Sequence, residues 1–480
     1  MSVQVAVPNS VTSSVQELIR RARVAQTQIS SWDQRQVDLL VSSAAWAILE
    51  PGRNRLLAEL AVQDSGLGNA DDKFNKNFRK TLGLVRDLKG AVSVGVLRED
   101  REKGITEIAR PVGVVAAITP STNPGATPIN KILNALKCRN AIILAPSPKG
   151  ASTCAKLLEF VHAQLDQVGA PRDLVQMLPT PISKEATHEL MRRADLVVAT
   201  GSQSNIRAAY TCGTPAFGVG LGNAAVIIDE HADCVSAAAK IARSKVFDNA
   251  TSCSSENGLV ILAQVYSAMM QALEQQGGVL LTPDDQERLQ AFMFPDGKLG
   301  SAATAQSASS IARRAGLQTP GAATARFLMV RPASAGPDHP FSGEKLSPVL
   351  SIWQVADFDQ ALEMVTRIYA YQGAGHSVGL HTAGSGAVME ARARRLAEEV
   401  PVSRVIVNQA HAIATGGSFD NGLPFSLSMG CGTWGGNNFA ENMNYRQYMN
   451  ITRIARPIPE RLPTVEELLD DYFQKVGVTS

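Results

Sequence analysis

Val15, Leu18, Ile19 and Ala22 recur at helical spacing behind Ser14 and Glu17, a Ser-x-x-Glu pair of the capping-box kind. The pattern predicts a first helix that starts there, with helical text continuing to about Leu88. Residues 104–117, GITEIARPVGVVAA, alternate around one proline, as in a hairpin or an edge strand. From Val112 the chain turns into short apolar runs separated by helical ones: VGVVAAI, AIILAPS, VQMLP, LVVATG and AAVIID. Runs of this length with helices between them predict a parallel sheet covered on both faces. After the polar loop DNATSCSSEN a second series begins, with GLVILAQ, ARFLMVRP, SPVLSIW, HSVGLHT and RVIVNQ as strands. The fold class is therefore α/β, with two parallel-sheet units. The division falls at 1–246, 247–441 and a closing segment 442–480 that holds the amphipathic stretch TVEELLDDYFQKVG.

Composition narrows the function. At about 150 residues per domain, 480 residues make two or three packed units. Apolar residues are 45% of the chain and charged ones 19%, enough for large cores. The 46 Lys+Arg against 44 Asp+Glu leave a net charge of +2 with no dense basic block, which argues against nucleic acid as a partner. No apolar run reaches the roughly 18 residues that span a bilayer, and the N-terminus lacks a signal-peptide pattern, so no membrane partner and a cytoplasmic location are expected. The six cysteines are scattered without CxxC pairs, which predicts free thiols and no structural metal.

Two glycine clusters invite over-reading. Gly430-Cys431-Gly432-Thr433-Trp434-Gly435 fits GxGxxG, but too little chain follows it for a nucleotide-binding half. Gly218-Val219-Gly220-Leu221-Gly222-Asn223 leads into a strand instead of a helix. Both are better read as close-approach loops. Cys253 stands apart from the other cysteines because it lies in a polar loop that opens onto a strand. A thiol there is either a nucleophile or an ordinary loop cysteine.

Together, VFDNATSCSSE around Cys253, ITPSTNP (118–124), VATGS (198–202), GVGLGNAAVIID (218–229), EKLSP (344–348), GAGHS (373–377) and GCGTWGGNN (430–438) resemble the acylating, coenzyme A-dependent branch of the aldehyde dehydrogenase superfamily, in order and spacing. The resemblance implies a cofactor domain over 1–246 and a catalytic domain over 247–441. It also implies a small β bridging and oligomerisation element from the hairpin near 104–112 and a strand within 442–480, and a homodimer or homotetramer. It implies that Cys253 attacks the aldehyde and carries a thioester, with Asn123 and the Cys253 amide stabilising the oxyanion. His376 either assists the thiol or positions the nicotinamide, or is a satisfied structural histidine. Asn123 lies directly before Pro124, a departure from the hydrolytic pattern, and a plain turn asparagine is the other reading.

Cofactor contacts implied by the same likeness are Thr119, Pro120, Ser147, Lys149, Thr200, Gly201, Ser202, Gly220 and Glu344, with Glu344 on the nicotinamide ribose or, on the plainer reading, in a surface ion pair. Hydrolytic relatives place a lysine at the position of Ala145 and a phosphate-repelling glutamate at that of Pro148. The loss of that carboxylate admits NADP, through Ser147 and Lys149, alongside NAD. Hydrolytic relatives also carry, at the position of Val219, the glutamate that activates water, and valine cannot take a proton. Coenzyme A is thus the expected acyl acceptor, with Glu256 a weaker candidate for a substitute base. A small aldehyde is the implied partner. The whole-chain likeness favours sulfoacetaldehyde, with acetaldehyde, propanal, succinate semialdehyde or a hydrolytic free-acid reaction as alternatives. Arg207, Arg404 and Lys131 are candidate cations for a sulfonate.

Overall fold

The structure, a computed structural model, describes residues 10–477. Four helices open it: α1 (Ser10–Gln28), α2 (Gln34–Leu49), α3 (Pro51–Ser65) and α4 (Ala70–Leu88). Helix α1 is already under way at Ser10, so Ser14 and Glu17 lie inside it and do not cap it. Glu17 instead accepts from Arg20 Nε, three residues on, at 2.7 Å. A Ser and a Glu three residues apart share a helix face anywhere along a helix, which is why the pattern misplaced the start. The predicted apolar face holds: Val15, Ile19 and Ala22 are buried. A full capping box occurs one helix later, where Asp33 and Gln36 exchange hydrogen bonds at the start of α2.

The hairpin comprises β1 (Gly95–Asp100) and β2 (Ile105–Pro111). A five-stranded parallel sheet follows from β3 (Val114–Thr119), β4 (Ala141–Pro146), β5 (Val175–Met177), β6 (Leu196–Ala199) and β7 (Ala216–Gly218), in the spatial order β5-β4-β3-β6-β7. Strands β3 and β4 are buried at every position, as the unbroken apolar runs require. The chain moves outward on one side of β3 and then on the other. This reversal of strand order opens a crevice at the carboxyl ends of β3, β4 and β6.

The second sheet has seven parallel strands, β8 (Ala224–Ile228), β9 (Glu256–Leu262), β10 (Gly278–Leu280), β11 (Phe327–Val330), β12 (Val349–Val355), β13 (Val378–His381) and β14 (Val405–Val407), in the order β10-β11-β12-β9-β8-β13-β14. Alternate side chains feed two separate cores. Ala225 and Ile227 pack beneath the helix Phe358–Tyr371, while Val226 and Ile228 pack beneath the helices Cys234–Val246 and Tyr266–Gln275. The expected boundary near Phe247 is therefore misplaced. Strand β8 is hydrogen-bonded between β9 and β13, so the chain passes from the first sheet to the second in the loop 219–223. An apolar run has the same sequence signature whichever sheet it joins, and the pattern could not assign β8.

Strand β15 (Met449–Ala455) returns to pair with β2 and completes a three-stranded antiparallel sheet in the order β1-β2-β15. On the way Phe425, Phe439, Met443 and Tyr448 pack into the core of the first unit, which pins the two units together. Beyond β15 the helix Val465–Val476 is exposed, with Leu468 and Tyr472 among its uncovered side chains. Among the described residues no helix is long and apolar enough to cross a membrane.

Candidate active site

The carboxyl ends of the first sheet face the amino ends of the second. Thr119, Ser147 and Thr200 follow from β3, β4 and β6 on one side, and Cys253 and Glu344 precede β9 and β12 on the other. A cavity of 950 Å³ lies between these ends, lined by all five together with Pro120, Asn123, Gly201, Ser202, Val219, Gly220 and Gly222. Of the residues expected at the site, Lys149 and His376 are not on the cavity wall. Lys149 is exposed beside Ser147, in the turn Pro148–Gly150, and His376 lies behind Cys253.

Cys253 is held by unusual backbone. Asp248, Asn249 and Ala250 adopt φ of 52°, 50° and 59° in succession, a left-handed turn that costs L-residues about 1–2 kcal/mol each. Side chains hold this turn in place. The Asp248 carboxylate accepts from Lys73 Nζ (3.1 Å), Lys76 Nζ (2.6 Å), Thr251 Oγ1 (2.7 Å) and Asn69 N (3.1 Å), and its own N–H donates to Asp72 (2.7 Å). Burial opposes ionisation of Asp248, but the Lys76 and Lys73 charges outweigh it and hold the carboxyl below its usual range. In the sequence pattern Lys73 and Lys76 are simply part of a helical stretch. Their signal was Lys73, Lys76 and Lys80 at spacings of three and four on one face of α4.

The same Lys76 ammonium donates to Asn123 Oδ1 at 2.9 Å. It thereby fixes the amide with its Nδ2 as the end left for donation, where the only other hydrogen bond among the described residues is a long one of 3.4 Å to Thr122 Oγ1. Gly222 passes so close to Cys253 that a Cβ there would stand 2.0 Å from the Cys253 carbonyl oxygen. The glycine run before β8 is thus a close-approach loop, as expected. Gly220 N and Cys431 N both donate to Asn437 Oδ1, at 3.0 and 2.9 Å, tying the second glycine cluster to the first.

Cys253 Sγ lies 3.5 Å from His376 Nε2, and His376 Nδ1 lies 2.7 Å from Ser377 Oγ. Burial, with the nearby Glu344 and Cys431, pushes the Cys253 thiol up to about 12. Burial, with Arg404 and His411, lowers His376 to about 3. Burial therefore favours the neutral form of each, a thiol facing an imidazole. Burial raises Glu344 to about 8 while the Gly222 N–H opposes the shift.

Several other candidates are turned elsewhere. Glu256 is buried in β9, where its Oε1 accepts from His411 N at 3.0 Å and burial raises its pKa; it does not line the cavity. Lys131 is buried with its ammonium on the carbonyls of Ile118 (2.8 Å) and Val198 (2.7 Å). Arg404 is buried on Asn442 and on the carbonyls of His376, Gly430 and Ala440. Arg207 is exposed on the helix Gln203–Thr211. None of the three lines the cavity. Their cationic heads serve the fold or the solvent, and sequence spacing alone could not reveal that.

The cavity wall also carries unsatisfied acceptors and donors suited to a nucleotide. Thr119 Oγ1 and Glu344 Oε1 are buried without a hydrogen-bond partner among the described residues. Ser202 caps the helix Gln203–Thr211, and Thr200 Oγ1 lies 2.7 Å from Ser428 Oγ. Among the described residues no group of three or more His, Cys, Asp or Glu is arranged to hold a metal ion.

A cysteine-bearing loop set between two parallel sheets, over a crevice without GxGxxG, places the chain in a recognisable class, and comparison with known proteins agrees. The model of the aldehyde dehydrogenase family matches residues 2–422, and the chain belongs to that family. Among curated relatives, it is 61% identical to the sulfoacetaldehyde dehydrogenase (acylating) of Cupriavidus necator over 99% of this chain and 96% of that one. It is 35% identical to the succinate-semialdehyde dehydrogenase (acetylating) of Clostridium kluyveri over 95% and 98% of the two chains. The crystal structure of an acetylating aldehyde dehydrogenase from Geobacillus thermoglucosidasius superposes with a TM-score of 0.89 at 33% identity, covering 95% of this chain and all of that one.

Proposed function

We propose that the protein oxidises a small aldehyde to its acyl-coenzyme A thioester with a nicotinamide cofactor, and that the aldehyde is sulfoacetaldehyde. The observation that carries the reaction type is Val219: it lines the Cys253 cavity at the position where a hydrolytic relative needs a base. Of the two carboxylates on the wall, Asp72 is engaged in hydrogen bonds and Glu344 keeps one oxygen, Oε1, without a partner among the described residues, an acceptor assigned here to the cofactor. Asp72 accepts from Asp248 N and Asn69 Nδ2, at 2.7 Å each, and Glu344 accepts from Gly222 N–H. The substrate rests on the 61% identity to an enzyme of that name.

In this reading His376 Nε2 takes the Cys253 proton as sulfur attacks the aldehyde carbon. The unprotonated ring has its lone pair free, and because burial disfavours a separate thiolate–imidazolium pair the proton moves in concert with carbon–sulfur bond formation. Asn123 Nδ2, aimed by Lys76, and the Cys253 amide donate to the oxyanion. The bound nicotinamide serves as hydride acceptor. Cys253 then carries a thioester until a thiol removes it.

Thr119, Thr200, Gly201, Ser202 and Gly220 are the groups that would hold the nucleotide, with Glu344 on ribose hydroxyls. The exposed Lys149 beside Ser147, with Pro148 between, supports acceptance of a ribose phosphate and hence NADP. The exposed apolar residues of β15 and the tail helix, including Ile451, Ile454, Leu468 and Tyr472, support a homo-oligomer.

Two measurements bear on this reading. Glu344 loses its proton near pH 8, and an ionised carboxylate accepts hydroxyl bonds more strongly than a neutral acid. Cofactor affinity therefore rises as pH goes from 6 to 9 in the native enzyme, and this slope disappears in Glu344→Gln; fluorescence titration with NADPH measures both. In steady state, NADPH production from sulfoacetaldehyde requires coenzyme A and yields sulfoacetyl-CoA. Free acid formed at the same rate without coenzyme A would refute the acylating assignment.

A further inference from the structure

A sulfonated aldehyde brings a permanent anion, one methylene from the carbonyl, into the Cys253 cavity. The wall offers Lys76, Arg79, Lys80, Arg243 and Arg326 as cations. Lys76 is committed to Asp248, Asn123 and Thr251. Lys80 donates to the carbonyls of Gly416 (2.8 Å) and Gly417 (2.9 Å). Arg326 donates to Gln276 O and is exposed, as is Arg243, so water weakens what either can offer. Arg79 differs from all of these. It is half-buried, and among the described residues it makes no hydrogen bond or ion pair. Its guanidinium rests over the Phe419 ring at 5.3 Å, which leaves its N–H groups undirected.

Arg79 follows Lys76 by three residues on α4, so it lies on the helix face that reaches Asn123 and the turn before Cys253. Phe419 belongs to the segment that continues into Phe425, Ser426, Leu427 and Met429 on the cavity wall. A sulfonate has three acceptor oxygens and no donor, and a guanidinium presents paired N–H groups that match two of them, a fit a lysine lacks.

We propose that Arg79 is the anion anchor of the substrate site, binding the terminal sulfonate through paired N–H···O contacts and so selecting a charged aldehyde over a neutral one. The inference deepens the substrate reading above and rests on it.

The test compares native enzyme with Arg79→Gln and Arg79→Lys, at saturating NADP and coenzyme A, on sulfoacetaldehyde and on propanal. It adds inhibition by ethanesulfonate as a measure of anion binding free of chemistry. In Arg79→Gln the ratio of kcat/KM for sulfoacetaldehyde to that for propanal falls by about 10–100-fold, the loss expected for hydrogen bonds to a charged group. KM carries most of the fall, the Ki of ethanesulfonate rises in parallel, and Arg79→Lys recovers part of both. Equal losses on the two aldehydes, an unchanged ratio, or a rise confined to the KM of coenzyme A or NADP would overturn the assignment of Arg79. A native enzyme that prefers propanal and ignores ethanesulfonate would overturn the sulfonate reading itself, and Arg79 with it. A native preference for sulfoacetaldehyde that survives in Arg79→Gln overturns only the anchor.

Discussion

Cys253→Ala abolishes turnover while the protein stays folded and still binds nucleotide. The substitution removes the sulfur that forms the covalent bond and replaces it with a smaller group at the edge of a large cavity, so there is little packing to lose. The turn that presents the residue is held by Asp248, Lys73, Lys76 and Asp72, none of which touches the thiol. Thermal unfolding and NADPH titration verify the fold, and acyl-CoA formation reads the chemistry. Cys431→Ala is far milder on turnover, because the buried Cys431 Sγ bonds backbone groups, the Met429 carbonyl at 3.6 Å and the Gly220 amide, and the loop stays tied through Asn437 to the backbone amide of Cys431. Appreciable acyl-CoA from Cys253→Ala, or equal losses from the two variants, would remove Cys253 from its role.

His376→Ala slows thioester formation by about 10²–10⁴-fold, the range of a positioned general base. The pH dependence separates this role from a purely structural one. Native His376 stays neutral down to about pH 3, so kcat/KM for the aldehyde shows no inflection from this imidazole between pH 6 and 7. Without it, the thiol must ionise into solvent against a pKa pushed up to about 12, and the residual rate climbs with pH as thiolate accumulates. Stopped-flow reduction of NADP from pH 6 to 10 gives both profiles. A flat residual profile with a lowered melting temperature would make His376 a packing residue.

Much of the site was legible because its segments are short and chemically distinctive. Cys253 in a polar loop and the glycine run at 218–222 could be read directly. The two α/β series followed from apolar runs of strand length, and the boundary slipped only where such a run could join either sheet. What the sequence hid was the support. Lys76 orients Asn123 from a helix 47 positions earlier, and Asp248 unites Lys73, Lys76 and Asn69 across 172–179 positions. Charge partners that remote leave no periodic trace. For the same reason Arg404 and Lys131 resembled ligand cations in the sequence although their charges are spent on backbone carbonyls.

The most direct measurement is a pre-steady-state one, with native enzyme, NADP and sulfoacetaldehyde mixed rapidly in the absence of coenzyme A. With Val219 where a base would stand, water attack on the thioester lacks a contribution of about 10²–10⁴-fold, so the acyl group waits on Cys253. Reduced nicotinamide then appears in a burst near one equivalent per active site, followed by a slow phase, and coenzyme A restores steady turnover in ping-pong fashion. Rapid release of free acid with no burst and no response to coenzyme A would contradict it.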